Sequence, residues 1–217
     1  SQYLGFETLD GPSIQIGNPL DAHRQTLKWL DLSSDSAHQW VVCIDEIGPH
    51  WKGALPDEVD PDHDTIRHNV LWANLMAGGG GVEWYFGYKF PHGDLSCEDW
   101  RSRDNLWEQT AIAIDFFHSY LPFHEMTSMD ALVNKKAYCF AKENEAYAVY
   151  YPELSDLGID LKAASGEFAV QWFNPRKGGE LSEGTVRKVS AGSMVDPGYP
   201  GNERDGDWVC LLSRINR

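Results

Sequence analysis

Residues 39–51, QWVVCIDEIGPHW, decide how the chain is read. Trp40 to Ile44 form an unbroken apolar run that includes Cys43, Asp45 and Glu46 follow at once, and Gly48-Pro49 ends it. A short apolar run bounded by breakers and rich in Val and Ile predicts a strand buried on both faces, as in a parallel sheet covered by helices. Charge enters only at its carboxyl end, which is where α/β sheets and barrels build their sites. Glu46 is therefore a catalytic candidate, with Asp45 beside it. The plainer alternative is that both acids merely begin a solvated loop. In a regular strand they point to opposite faces, so both can serve one pocket only if the strand is irregular.

Working outward, Ser13 to Ile16 reads as a short strand. Asn18-Pro19 then supplies a cap followed by a helix-compatible proline, and Leu20, Leu27, Trp29 and Leu30 give an apolar face through about Leu32. On the other side of the central strand, Asp60-Pro61 predicts a second helix start. Ile66, Val70, Leu71, Trp72, Leu75 and Met76 carry its apolar face to the tetraglycine Gly78 to Gly81. Val82 to Phe86 reads as the next strand. Leu106, Trp107, Ala111, Ile114 and Phe117 then mark a third helix, ended before Pro122.

Three consecutive strand–helix units imply a parallel sheet with right-handed crossovers. After Met126 the pattern changes to short apolar runs separated by turns: AYCFA, YAVYY, FAVQWF, TVRKV and DWVCLL. Such runs predict a small antiparallel β-sandwich. The expected fold is thus α/β over residues 1–126, followed by an all-β domain over 127–217.

The 217 residues carry 18 Lys and Arg against 33 Asp and Glu, a net charge of −15 that disfavours nucleic acid or an anionic membrane as partner. No run reaches the roughly 18 apolar residues of a membrane span, and no basic-then-apolar leader opens the sequence. Nine Trp and nine Tyr are many for this length, and such rings serve equally as core filling and as platforms for sugars. Cys43, Cys97, Cys139 and Cys210 show no CxxC spacing; Cys139 and Cys210 would pair if their strands were neighbours.

Glu46 and Glu83 form the constellation of greatest interest, because they belong to two consecutive strands that would lie about 4.8 Å apart. Two carboxyls roughly 5 to 5.5 Å apart suit a retaining glycosidase. Trp51, Trp84 and Tyr88 flank these acids, and pyranose rings stack on aromatic faces while acids bind their hydroxyls. Core packing is the bland reading for Trp84, and a structural carboxylate is that for Glu83. No metal site is expected: His63 and His68 are five apart, and His50 and His92 add no recognised ligand spacing. Helix capping accounts for the acidic run Asp57, Glu58, Asp60, Asp62 and Asp64, and Arg101 and Arg103 are expected to pair with Glu98, Asp99 and Asp104. No cofactor motif stands out.

The stretches LDGPSIQIG, WVVCIDEIGP, PDEVDPDHDTIRHNVLWANLMAGGGGVEWYFGY, CEDWRSRDNLW, QWFNPRKGG and DWVCLL span nearly the whole chain. Through them the sequence resembles a family of bacterial glycoside-hydrolase-like proteins, in which a (β/α)8 (TIM) barrel precedes a β-sandwich labelled collagen-binding. The resemblance implies that residues 1–126 are the C-terminal part of such a barrel, with the Glu46 strand seventh and the Glu83 strand eighth. It further implies that Glu46 is the nucleophile of a retaining glycoside hydrolase acting on a polysaccharide or oligosaccharide, with Glu83, Tyr88, Trp51, Trp84 and Asp45 as substrate contacts. The acid/base of such enzymes ends the fourth strand, which has no counterpart here. The chain alone is accordingly expected to be inactive, and to associate with the remaining half-barrel or with itself. A secreted or periplasmic location follows from the same resemblance. The alternative is a non-catalytic module that binds carbohydrate or matrix protein through its sandwich.

Overall fold

The computed structural model describes residues 2–201 and 203–215. It divides into two compact units, Ser1–Thr110 and Ala111–Arg217, and mixes helices with mostly antiparallel sheet. The division between these units falls inside a helix.

The first unit opens with strand β1 (Gln15–Ile16). Asn18 caps the following 3-10 turn by accepting from the Leu20 N–H at 3.2 Å, and helix α1 (Ala22–Ser34) follows. Its buried side is Ala22, His23, Thr26 and Ser33, not the leucine stripe read from the sequence, and Leu20 is exposed. Small and polar residues allow close approach to the next helix, where His23 Nδ1 meets Ala73 O at 2.7 Å and Thr26 Oγ1 accepts from Asn74. The central strand is recorded as β2 (Cys43–Ile44) and β3 (Glu46–Ile47).

The second helix begins at α2 (Asp64–Ile66), passes through a π segment over Arg67–Trp72, and ends as α3 (Ala73–Met76). The expected start at Asp60-Pro61 is displaced because Asp60 N–H is held by Pro56 O. His63 then takes a left-handed conformation, φ 49°, that turns its imidazole inward. Strand β4 (Gly81–Val82) is shorter than the Val82–Phe86 read from the sequence, and helix α4 (Asp104–Tyr120) follows a long loop.

Both pairings of the central strand are parallel: Gln15 and Ile16 lie against Glu46 and Ile47, and Cys43 and Ile44 against Gly81 and Val82. The strand therefore sits between its two sequence neighbours, as consecutive β–α–β units require. It is not buried on both faces. Val42 and Ile44 are buried while Val41 is 58% exposed, so helices cover one face and the other is open.

In the second unit, β5 (Thr127–Ser128), β6 (Tyr138–Lys142), β7 (Ala146–Tyr151), β9 (Glu167–Phe173), β10 (Ser182–Ser190) and β12 (Trp208–Arg214) form one antiparallel sheet, ordered β10-β9-β12-β7-β6-β5. Strands β8 (Ile159–Asp160) and β11 (Met194–Val195) pair separately. A core including Tyr147, Val149, Tyr151, Ile159, Phe168, Val170, Trp172 and Cys210 gathers residues from both sheets, the packing of a sandwich. The opposite face of the large sheet is covered as well. Phe116 packs on Phe173 with ring centroids 4.6 Å apart, and Phe117 lies 6.0 Å from Phe140. These contacts draw the second half of α4 into this unit and place the division between Thr110 and Ala111. Cys139 and Cys210 both face Val149 from opposite sides, so β7 separates their strands and all four cysteines are free thiols.

Candidate functional site

The candidate site is the open face of the parallel sheet, and an irregularity in the central strand builds it. The N–H groups of Asp45 and Glu46 both point to Ile14 O, at 2.9 and 3.4 Å. Two residues opposing one acceptor are a β-bulge, which shifts the inward–outward alternation by one. Ile44 and Ile47, three apart, are consequently both buried, and Glu46 joins Val41 and Cys43 on the open face. Its register partner Gln15 shares that face and donates from Nε2 to Glu46 Oε2.

On the other neighbour, Glu83 N–H donates to Ile44 O at 2.8 Å, which continues the parallel ladder beyond β4. Glu83 is exposed, Trp84 is buried and Tyr85 is half-buried, so Glu83 and Tyr85 lie on the open side. Partial burial and then the Glu46 carboxylate, with Asp94 and Tyr88 adding less, push the Tyr85 hydroxyl above its ordinary value. That hydroxyl donates to His50 O, and the His50 ring lies 5.7 Å from Tyr88. Lys89 Nζ sits 4.9 Å from the centroid of Trp51. Trp51 and Tyr88, 37% and 52% exposed, present free ring area at this rim.

Two glycines let the rim close. Ala54 N–H donates to Tyr85 O at 2.7 Å, and a Cβ on Gly53 would stand 2.3 Å from that same carbonyl. A Cβ on Gly87 would meet the Lys52 backbone at 2.7 Å. Both glycines have φ above +50°, which L side chains rarely adopt. The loop after β3 is thereby pressed against the chain after β4.

Trp84 stands apart from the expected substrate contacts. It is 7% exposed, on the helix-covered face, and its Nε1–H donates to Thr110 Oγ1 at 2.9 Å. Its ring is packing, unavailable to a ligand on the open side. Asp45 is half-buried near Cys43, where burial first and this carboxylate second push the thiol upward. Gln15 was not singled out in the sequence, because only strand register reveals it as the partner of Glu46.

The buried polar groups below the rim are structural. Arg101 pairs with Asp99 at 3.6 Å as expected, but Arg103 does not pair with its acidic neighbours. Its guanidinium, fully buried, donates to Ala54 O, Pro91 O, His92 O and Ser102 Oγ and lies 4.4 Å from the Phe86 ring. His63 Nε2 meets Asp57 Oδ1 at 2.7 Å, and Asp57 Oδ2 accepts the Asn105 N–H. Among the described residues no group of three or more His, Cys, Asp or Glu side chains is placed to hold a metal ion.

This geometry can be set beside known proteins. Residues 124–213 match the family model described as "Putative collagen-binding domain of a collagenase". In three dimensions the chain is similar to a glycoside hydrolase family 5 protein from Bacteroides vulgatus, with a TM-score of 0.66 and 14% identity, over 96% of this chain and 51% of that one. A second solved structure, a glycoside hydrolase, gives a TM-score of 0.64 and 13% identity over 99% of this chain and 51% of its own. The chain thus spans about half the length of the solved structures it matches. No curated protein matches it. At these identities the likeness speaks for fold.

Proposed function

We propose that these residues are the C-terminal part of a retaining glycoside hydrolase acting on a polysaccharide or oligosaccharide, with Glu46 as the nucleophile. The first unit would then be the closing portion of a (β/α)8 barrel, its open face the barrel interior, and the second unit the β-sandwich that follows. The observation that carries this reading is the bulge at Asp45–Glu46. It turns Glu46 onto the one sheet face that helices leave uncovered, between Gln15 and Tyr85.

A retaining mechanism needs a carboxylate to attack the anomeric carbon and a second carboxyl group to protonate the leaving oxygen. Glu46 supplies the first. Its hydrogen bond from Gln15 orients one oxygen and leaves the other free. The second group would come from the fourth barrel strand, outside these 217 residues, so the chain by itself should not turn over substrate. Glu83 and Tyr85 would hold sugar hydroxyls, and Trp51 and Tyr88 would stack on pyranose faces at the rim. Such chemistry on polymeric glycans suits an exported protein, and no described helix is long and apolar enough to cross a membrane.

The alternative is a binding module working through its sandwich, and in the second unit Phe123, 38% exposed, is one ring that could meet a ligand. Trp172, Trp208, Tyr147, Tyr150, Tyr151 and Phe168 are all buried, and Tyr199, 36% exposed, carries the Arg204 guanidinium over its ring. The test is to replace Glu46 by Gln in the polypeptide carrying both barrel halves. Loss of glycan turnover on the order of 10³-fold or more, with folding intact, is expected. Undiminished turnover would remove the reading.

A further inference from the structure

Resting on the glycan reading above, we infer that Arg103, besides its part in packing, is a positioning residue of the site: its one guanidinium fixes the loop that carries Trp51 against the loop that carries Tyr88, so that the two rings keep one spacing for a bound glycan. The residue is fully buried. Its Nε donates to Ala54 O at 3.3 Å, while Nη1 donates to Pro91 O at 3.1 Å and to His92 O at 3.3 Å. Ala54 stands three residues after Trp51 in the loop that follows the central strand, and Pro91 and His92 stand three and four residues after Tyr88 in the loop that follows β4. The planar fork thus reaches both loops at once.

Each anchor passes to an aromatic residue through backbone contacts. Ala54 N–H donates to Tyr85 O at 2.7 Å, and Lys89 N–H donates to Trp51 O at 3.0 Å. Beside His92, a Cβ on Gly93 would stand 2.3 Å from Gly87 O and 3.2 Å from Tyr88 Cα, and Asp94 N–H donates to Gly87 O at 3.0 Å. The Asp94 carboxylate accepts the Phe86 N–H at 2.9 Å, and the Arg103 guanidinium lies 4.4 Å from the Phe86 ring. Space filling alone does not call for a cation here. Burial outweighs the pull of Cys97, Asp57 and Asp94 and lowers the Arg103 pKa, so the charge is held at a cost that an apolar side chain of similar size would avoid. What an apolar side chain could not supply is a set of donors aimed at two loops, and a lysine ammonium would carry the charge without the fork.

The test measures reducing-end release from hexasaccharides of glucan, mannan, xylan and galactan by the polypeptide carrying both barrel halves. On a hexasaccharide that is cleaved, Arg103→Lys should raise KM about five-fold or more and leave kcat within about two-fold, the pattern of binding lost away from the reacting atoms. In a Trp51→Ala, Tyr88→Ala background the same substitution should change KM by less than about two-fold, because the rings it positions are gone. An effect that persists undiminished in that background, a fall in kcat with KM unchanged, or no effect in a folded variant would each overturn the inference and leave the glycosidase reading standing. Where Arg103→Lys does not fold, Ser102→Ala takes its place, removing the Oγ that accepts from Nη1 at 2.6 Å. A KM raised about two-fold only while both rings are present then supports the inference, and an unchanged KM overturns it. Cleavage of none of the four hexasaccharides by the wild-type polypeptide would overturn both.

Discussion

At the scale of single residues, the account turns on Glu46 and its neighbour Gln15. Removing the amide by Gln15→Ala frees a carboxylate that is otherwise held in one orientation. Turnover by the polypeptide carrying both barrel halves should fall about 10- to 100-fold, mainly in kcat, since misplacing a reacting group costs rate before it costs binding. The thermal midpoint should hardly move, because the bond is exposed. An unchanged kcat would show that Gln15 does not position Glu46. Glu46 itself was legible in the sequence as the acid ending an apolar strand, whereas Gln15 was not. Residues 31 apart become partners only through strand register, which one sequence read locally does not carry. The bulge was equally hidden, since nothing in VVCIDEIG marks where two N–H groups will share one carbonyl.

Secondary-structure elements were legible where they carry local signals. Asn18-Pro19 announced the turn that starts α1, and the tetraglycine announced the end of the second helix. There Asn74 reaches Thr26, Val42 O and the Gly81 N–H, and a Cβ on Gly79 would stand 2.3 Å from its side chain. The signal failed at Asp60-Pro61, where the Asp60 N–H is held by Pro56 O and the helix begins only after His63. It failed again for the buried side of α1, where close helix contact favours Thr26 and Ala22 over leucine. The loop pair after β3 and β4 yields a sharp prediction. Gly53→Ala forces a left-handed φ on an L residue and a backbone clash, so it should destabilise the first unit by about 1–3 kcal/mol. It should also weaken glycan binding by displacing Trp51. A variant with wild-type stability in chemical denaturation would contradict the tight crossing.

At the scale of the whole molecule, the switch in periodicity after Met126 marks where the sequence turns from α/β to all-β character. Each unit has its own vulnerability. In the second, burial pushes the Cys210 and Tyr151 groups well above their ordinary values, and Cys139 with them. Groups whose folded pKa is raised stabilise the fold fully below their unfolded values of 9.0 and 10.0, and that stability is lost as pH rises further. Its unfolding free energy should hold constant from neutral pH to about pH 8.5 and fall steadily above pH 9, and Cys139→Ala with Cys210→Ala should flatten that fall. A pH-independent stability to pH 10.5 would contradict the burial of these groups. In the first unit, β1 and β4 each pair on one side only among the described residues. Unpaired strand edges beside an exposed Val41 invite partners, so these 217 residues expressed alone should self-associate in light scattering, and a monodisperse monomer would count against the half-barrel reading.

The most direct measurement is covalent trapping of the nucleophile. A 2-deoxy-2-fluoroglycoside with an activated leaving group needs no acid for its first step and leaves a stable glycosyl ester on the attacking carboxylate. Incubated with the polypeptide carrying both barrel halves and read by peptide mass mapping, it should add one fluoroglycosyl group to the peptide containing Glu46, and Glu46→Gln should abolish the adduct. An adduct on any other carboxylate, with Glu46 unmodified, would contradict the account.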